Sequence, residues 1–314
     1  MAQLWRRPIP LLLIGLSYSA LLLLAACGSE GPPVPTTITA AAGTNQTATV
    51  GTTVPVAPAA RVLDDKGEPL AGLRVTFAVT GGGGSVTGGN ALTDNTGTAR
   101  VGSWTLGIIA GTNTLSASVD GLGSTSFSAT GTAATPASLA ASSAVNQTGV
   151  VGSPVGAPPS VLVTDQYENP VPDVTVGFQV TNGGGTLSAS QSTTNSSGIA
   201  TATQWTLGTQ PGVNTLQASY GGLSPVLFSA TAEVDVPETV EVQSGDGQTA
   251  MVGTQVTTPP SVHVVDRFDN PIQGVAVAFA VASGNGSISG ASQTTDGSGR
   301  ATVGSWTLGT TSGT

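Results

Sequence analysis

Three tryptophans set the frame for this chain. Trp104, Trp205 and Trp306 lie in GSWTLG, TQWTLG and GSWTLG, each 101 residues from the next. The same offset aligns Gln46 with Gln147 and Gln248, Asp64 with Asp165 and Asp266, Pro69 with Pro170 and Pro271, and Phe77 with Phe178 and Phe279. A repeat that keeps one register through three copies without net insertion reads as a row of equivalent bodies. About 100 residues is the size of one small domain and far longer than a solenoid repeat, so the expected organisation is a tandem array of similar domains. The units run over 34–134, 135–235 and 236–314, behind a leader (1–26) and a short tether (27–33). The third unit stops at Thr314, the counterpart of Thr112, before the stretches equivalent to Asn113–Val119 and Ser126–Thr130. It is therefore expected to lack its last two strands, as in a fragment, and to leave an edge and part of a core uncovered.

Within each unit the apolar residues alternate. Val174, Val176, Phe178 and Val180 share one face, as do Leu73, Val75, Phe77 and Val79, and again Val275, Val277, Phe279 and Val281. Period two of this kind is a half-buried strand. Shorter strands read at Ser160–Thr164, Ile199–Leu207, Val213–Tyr220 and Val226–Thr231, separated by the turn clusters DQYENP, TNGGGT, TNSSG and YGG. About seven short strands in about 100 residues, with a turn every 8–12, point to an immunoglobulin-like sandwich. No segment beyond the leader carries a sustained helical stripe. The fold class expected is thus all-β: tandem immunoglobulin-like β-sandwich domains behind a helical signal peptide.

The leader has Arg6 and Arg7, then the apolar runs Leu11–Ile14 and Leu21–Leu24, then Ala25-Ala26-Cys27. That is the order of a signal peptide. Leu24-Ala25-Ala26-Cys27 resembles the bacterial lipobox, and Cys27 is the one cysteine of the chain. The resemblance implies cleavage before Cys27 and lipidation of it, and Gly28 next to it resembles outer-membrane sorting. The expected address is the cell envelope, lipid-anchored at the outer membrane and facing the periplasm or the cell surface. Several acyl chains at about 0.8 kcal/mol per buried methylene would hold the chain there firmly.

Charge excludes whole classes of function. There are 8 basic and 17 acidic residues in 314, and removal of Arg6 and Arg7 with the leader moves the net charge from -9 to -11. Nucleic-acid binding needs clustered cations, so no nucleic-acid partner is expected. One cysteine excludes a disulfide framework and a thiolate zinc site.

The pattern D-x-x-x-N-P-x-x-x-V-x-V-x-F-x-V, followed by a Gly-rich turn and T-[DN]-x-x-G-x-A, resembles the bacterial Ig-like domain of the invasin/intimin group. Asp165, Asn169-Pro170, Val174–Phe178, Thr194-Asn195 and Gly198-Ile199-Ala200 carry it in the second unit, and Asp266, Asn270-Pro271, Phe279, Thr295-Asp296, Gly299 and Ala301 in the third. The first unit departs, with Lys66-Gly67-Glu68-Pro69 at the Asn-Pro position, where Gly67 supplies the turn. The resemblance implies an extracytoplasmic spacer or adhesion stalk.

Candidate chemistry is sparse. His263 aligns with Arg61 and Leu162 and reads as a surface residue. Asp64, Asp165 and Asp266 offer carboxylates for calcium, but only two or three oxygens converge locally, so they read as turn-forming side chains. The tryptophans read as core rather than as a sugar platform. Gly81–Gly84 is a hairpin connection rather than a phosphate loop, because no helix follows. No enzyme, cofactor or metal is expected, and the one modification site is Cys27. The function expected is a non-catalytic envelope lipoprotein acting as an Ig-like stalk or adhesion spacer, with the membrane as its partner through the lipid. The alternatives are a module binding a surface protein or a glycan through apical loops, and a carrier for an enzyme domain encoded beyond residue 314.

Overall fold

The computed structural model describes residues 31–313, so the leader and Cys27 lie outside the described residues. Every regular element among them is a strand. The first unit has ten: β1 (Pro35–Ala42), β2 (Gln46–Thr49), β3 (Ala59–Asp64), β4 (Arg74–Gly81), β5 (Ser85–Thr87), β6 (Asn90–Leu92), β7 (Thr98–Arg100), β8 (Ser103–Thr105), β9 (Gly111–Val119) and β10 (Gly123–Thr132). One sheet has the order β1-β3-β7, the other β2-β10-β9-β4-β6, and β5 pairs with β8. All pairs are antiparallel except β2 with β10, where the chain has crossed from one sheet to the other. The expected alternation drives the packing. Val75 and Phe77 of β4, Leu115 and Ala117 of β9 and Phe127 of β10 share the inner face of the larger sheet and pack against Ala60, Val62 and Ala99 of the smaller one, in a core that also holds Trp104. The Phe77 and Phe127 rings lie 6.2 Å apart.

The second unit repeats this plan strand for strand. Ser138–Ala141, Ser160–Thr164 and Ile199–Thr201 form one sheet, and Asn146–Val150, Val226–Glu233, Gly212–Ser219, Thr175–Asn182 and Gln191–Thr193 the other. One expectation needs correction. Ile199–Leu207 is not a single strand: Ile199–Thr201 pairs with Ser160–Leu162, whereas Trp205–Thr206 pairs with Thr186–Leu187. The cause is a slip in alternation. Ala200 and Ala202 are buried, then Thr203 and Gln204 both face out, then Trp205 is buried again. Two successive outward residues cannot stay on one ladder of period two, so the chain changes partner there.

A repeated glutamine pins each sandwich at its upper edge. Gln46 donates through Nε2 to the carbonyls of Gly43 and Val56 (both 2.8 Å) and accepts from the Val56 N–H (2.7 Å). Gln147 holds Ala157, and Gln248 holds Thr258, in the same way.

The third unit differs. Its sheets are Thr239–Ser244 with Ser261–Val265 and Arg300–Thr302, Ala276–Ala278 with Ser292–Thr294, and Ser287–Ser289 with Ser305–Thr307. Among the described residues there is no counterpart of β9, β10 or β2. β2 is a strand through its parallel ladder to β10, and without that ladder residues 248–251 form no strand. The core positions that β9 and β10 would cover are open: Val252 is 49% exposed where Val50 and Val151 are 2% and 0%. A cleft of about 310 Å³ lined by Phe279, Val281, Ile288 and Trp306 occupies that flank.

Candidate functional site

Trp104 and Trp205 are fully buried in the cores, and Trp306 is half-buried at the open flank of the third unit. His263 is half-buried in a cross-strand row between Glu241 and Arg300. Among the described residues no group of three or more His, Cys, Asp or Glu could hold a metal. What the repeat does build is a set of joints, centred on the Asp-x-x-x-Asn-Pro turns.

Each turn starts as a local device. In the second unit the Asp165 carboxylate accepts the N–H groups of Tyr167 (2.8 Å) and Asn169 (2.9 Å), and the Asp165 N–H donates back to the Asn169 carbonyl (3.0 Å). An Asp side chain bonded two and four residues ahead closes the loop without help from a ladder. The third unit matches through Asp266, Phe268 and Asn270. The turn needs a left-handed residue just before the Asn: Glu168 has φ 66 and Asp269 has φ 62. In the first unit that position is Gly67 (φ 81), so the expected exchange of Gly for strain is what the backbone shows. There Asp64 accepts from Lys66 and Glu68.

The second function of the turn was not read from the sequence. Asn169 reaches out of its own unit. Its Nδ2 donates to the Ile108 carbonyl (2.8 Å), and its Oδ1 accepts the Ala110 N–H (2.7 Å), both in the first unit. The same Nδ2 also donates to the Asp165 carboxylate (2.9 Å), which fixes the amide orientation. Asp165 in turn accepts the N–H of Ala134 (2.8 Å), in the segment that connects the two units. The gripped loop is itself held from within, because buried Asn113 accepts the Gly107 N–H (3.0 Å) and donates to the Gly111 carbonyl (3.2 Å). Tyr167 lays its hydroxyl against Gly51, where an added Cβ would lie 3.3 Å from it.

The joint between the second and third units uses the same turn with different partners. Asn270 donates to the Thr209 carbonyl (2.8 Å), and Asp266 accepts the Asp235 N–H (3.1 Å). The counterpart of Ala110 is Pro211, which has no N–H to give. Instead Phe268 packs against the core of the second unit over Gly152, and the Arg267 guanidinium lies 4.7 Å above the Phe268 ring and 3.1 Å from the Asp235 carboxylate.

Burial alone would push the Asp165 carboxyl upward, but hydrogen bonds from the Asn169 amide and from the N–H groups of Ala134, Asn169 and Tyr167 outweigh it and hold it below the usual carboxylate value. Asp266 behaves alike, with burial opposed by Asn270, Asp235 and Phe268. Both side chains therefore act as charged acceptors.

The Gly-rich turns, which an apical binding module would use, touch the gripped loops from one side in the first two units, while Gly82, Gly83, Gly84 and Gly184 stay exposed. Gly82 packs directly under Gly107 and Gly183 under Gly208, and these glycines begin the loops that Asn169 and Asn270 grip.

Comparison with known proteins places this geometry. Residues 158–236 match the family described as bacterial Ig-like domain (group 1). The inverse autotransporter adhesin YeeJ of Escherichia coli K12 is 32% identical over 232 residues, covering 70% of this chain and 9% of its own length, so the chain spans under a tenth of that relative. The Escherichia coli adhesin FdeC is a solved structure with a TM-score of 0.56 at 19% identity, covering 90% of this chain and 91% of its own. Invasin, a bacterial integrin-binding protein, has a TM-score of 0.40 at 21% identity, covering 88% of this chain and 55% of its own. Residues 158–236 are thus a bacterial Ig-like domain, and the chain is an all-β tandem of Ig-like domains similar in fold to the adhesin FdeC.

Proposed function

We propose that this protein is a non-catalytic stalk of the bacterial cell envelope, anchored by lipid on Cys27 and serving adhesion by holding Ig-like domains away from the membrane. The proposed domains are 34–134, 135–235 and 236–314, behind the 1–26 leader and the 27–33 tether. The observation that carries the reading is the pair of bonded joints. Asn169 and Asn270 tie consecutive units directly, and Asp165 and Asp266 tie the connecting segments, which suits a body that must transmit reach rather than close around a substrate. Three domains of about 30 Å each would extend about 100 Å. The adhesin names of YeeJ and FdeC favour an adhesive use over a purely mechanical one. Partners would then be the membrane, through the lipid, and a surface protein or glycan.

Two measurements test this. Metabolic labelling with an alkyne fatty acid should mark the wild-type chain and not Cys27→Ser, and Cys27→Ser should leave the membrane fraction. Small-angle scattering should give a maximum dimension near that of an extended rod. An unlabelled wild-type chain defeats the anchor, and a compact envelope defeats the stalk. A glycan array together with a cell-adhesion assay separates an adhesive stalk from a silent spacer.

A further inference from the structure

The two joints are built from one repeated turn, yet they are fastened differently, and the difference is legible residue by residue. We propose that the Asn of the Asp-x-x-x-Asn-Pro turn is an interdomain fastener, and that the residue at position 110 or 211 of the preceding unit sets how tightly it holds. The proposal rests on the stalk reading only for the use of the joints. Their stiffness is a property of the chain whether or not Cys27 is lipidated.

Three observations lead to it. First, Asn169 spends neither of its side-chain ends on solvent. It donates to Ile108 and accepts from Ala110, while Asp165 holds the same amide from behind. A planar amide held at both ends across a joint resists twisting as well as separation, since either motion breaks a bond to a group that is part-buried. Second, in the joint between units two and three Pro211 removes the donor, so Asn270, held from behind by Asp266 in the same way, has across the joint only the bond to Thr209. That joint carries an aromatic plug instead: Phe268 over Gly152, capped by Arg267, which also pairs with Asp235. Apolar packing is non-directional, so it opposes separation better than rotation. Third, the first unit follows the tether rather than another Ig-like unit, and its turn differs at each joint-making position. Lys66 stands for Tyr167 and Phe268, and Glu68 for Asn169 and Asn270. The intra-turn bonds to Asp64 are kept. The turn is therefore common to all three units, and the fastener accompanies a preceding unit.

The chain thus has one joint locked in torsion, between units one and two, and one that is closed but freer to rotate, between units two and three.

The test uses the full chain carrying Cys27→Ser, with spin labels on exposed strand positions: Thr76→Cys with Gln179→Cys for the first joint, and Gln179→Cys with Glu241→Cys for the second. Electron–electron distance distributions report the spread of each joint, and amide hydrogen exchange by NMR reports the bonds themselves. Asn169→Ala should broaden the 76–179 distribution and speed exchange at the Ala110 amide about ten-fold, the loss of about one hydrogen bond. The Gly107 amide, bonded to Asn113 inside the unit, should keep its protection. The reciprocal exchange leaves the Asn turns untouched. Ala110→Pro should broaden the first joint toward the second, and Pro211→Ala should narrow the 179–241 distribution and create a protected amide at position 211. These two variants decide the matter if Asn169→Ala unfolds its unit, because each places in one loop the residue that the other loop already accepts. Unchanged widths in Ala110→Pro and Pro211→Ala, or an unprotected amide at position 211, would overturn the proposal.

Discussion

Removing one carboxylate in the second unit should cost more than removing its exact counterpart in the first, although both close the same turn. Asp165→Ala takes away the acceptor of four donors: the N–H groups of Tyr167, Asn169 and Ala134, and the Asn169 amide. The Asn169 N–H is buried, and stranding a buried donor costs about 1–3 kcal/mol. The part-buried Tyr167 and Ala134 donors recover water, so each loses only the net value of an ordinary hydrogen bond, about 0.5–1 kcal/mol. The expected loss is about 2–5 kcal/mol. Asp64→Ala strands two part-buried donors, on Lys66 and Glu68, and should cost about 1–2 kcal/mol. For a domain of about 100 residues a gap of 1 kcal/mol is about 4–8 °C in Tm. Hydrogen exchange read by mass spectrometry reports each unit separately: peptides within 160–233 should lose protection in Asp165→Ala, and peptides within 59–132 in Asp64→Ala. Equal losses in the two variants would refute the reasoning, because the linker bond and the buried Asn would then contribute nothing.

Acid should loosen both joints in the same window. The folded-state values of Asp165 and Asp266 lie below the ordinary 3.8, so their contribution is complete above that value and is lost as pH falls through the lower folded value. An acid titration of Asp165→Asn should lack the part of that slope belonging to the second unit. Leu216→Ala, at a fully buried position of the second core, should destabilise that unit by about 2–5 kcal/mol in urea unfolding. Among the left-handed glycines, Gly198→Ala should cost clearly more than Gly184→Ala in the same assay. Both have positive φ, worth about 1–2 kcal/mol, but only at Gly198 would the new Cβ meet a backbone oxygen, that of Val163, at 2.6 Å.

The strands were legible because alternation is a local property. Val75-x-Phe77 and Val176-x-Phe178 state their buried face without reference to any partner, and the structure keeps it. The 101-residue register carried the plan from the first unit to the second, whereas in the third the strand expected over Val275–Val281 shortens to Ala276–Ala278 and its inward side chains are only half-buried. Strands of two or three residues, such as Ser85–Thr87, escaped because alternation over so short a span carries no signal, and β2 because its identity comes from the parallel ladder to β10. The break inside Ile199–Leu207 was written in the sequence as Thr203-Gln204, two polar residues in succession, but reading it required knowing that Trp205 faces inward. The joints were hidden for a different reason. Asp and Asn in a turn have a sufficient local explanation, and Asp165 does satisfy it, so nothing in a single turn asks for a distant partner. Information about the joint lies in the mismatch between units: Glu68 against Asn169 and Asn270, Lys66 against Tyr167 and Phe268, Ala110 against Pro211. In a tandem repeat the matching positions specify the fold that every unit shares. The positions that fail to match, where they cluster at one end of the sandwich, record what each unit touches beyond itself.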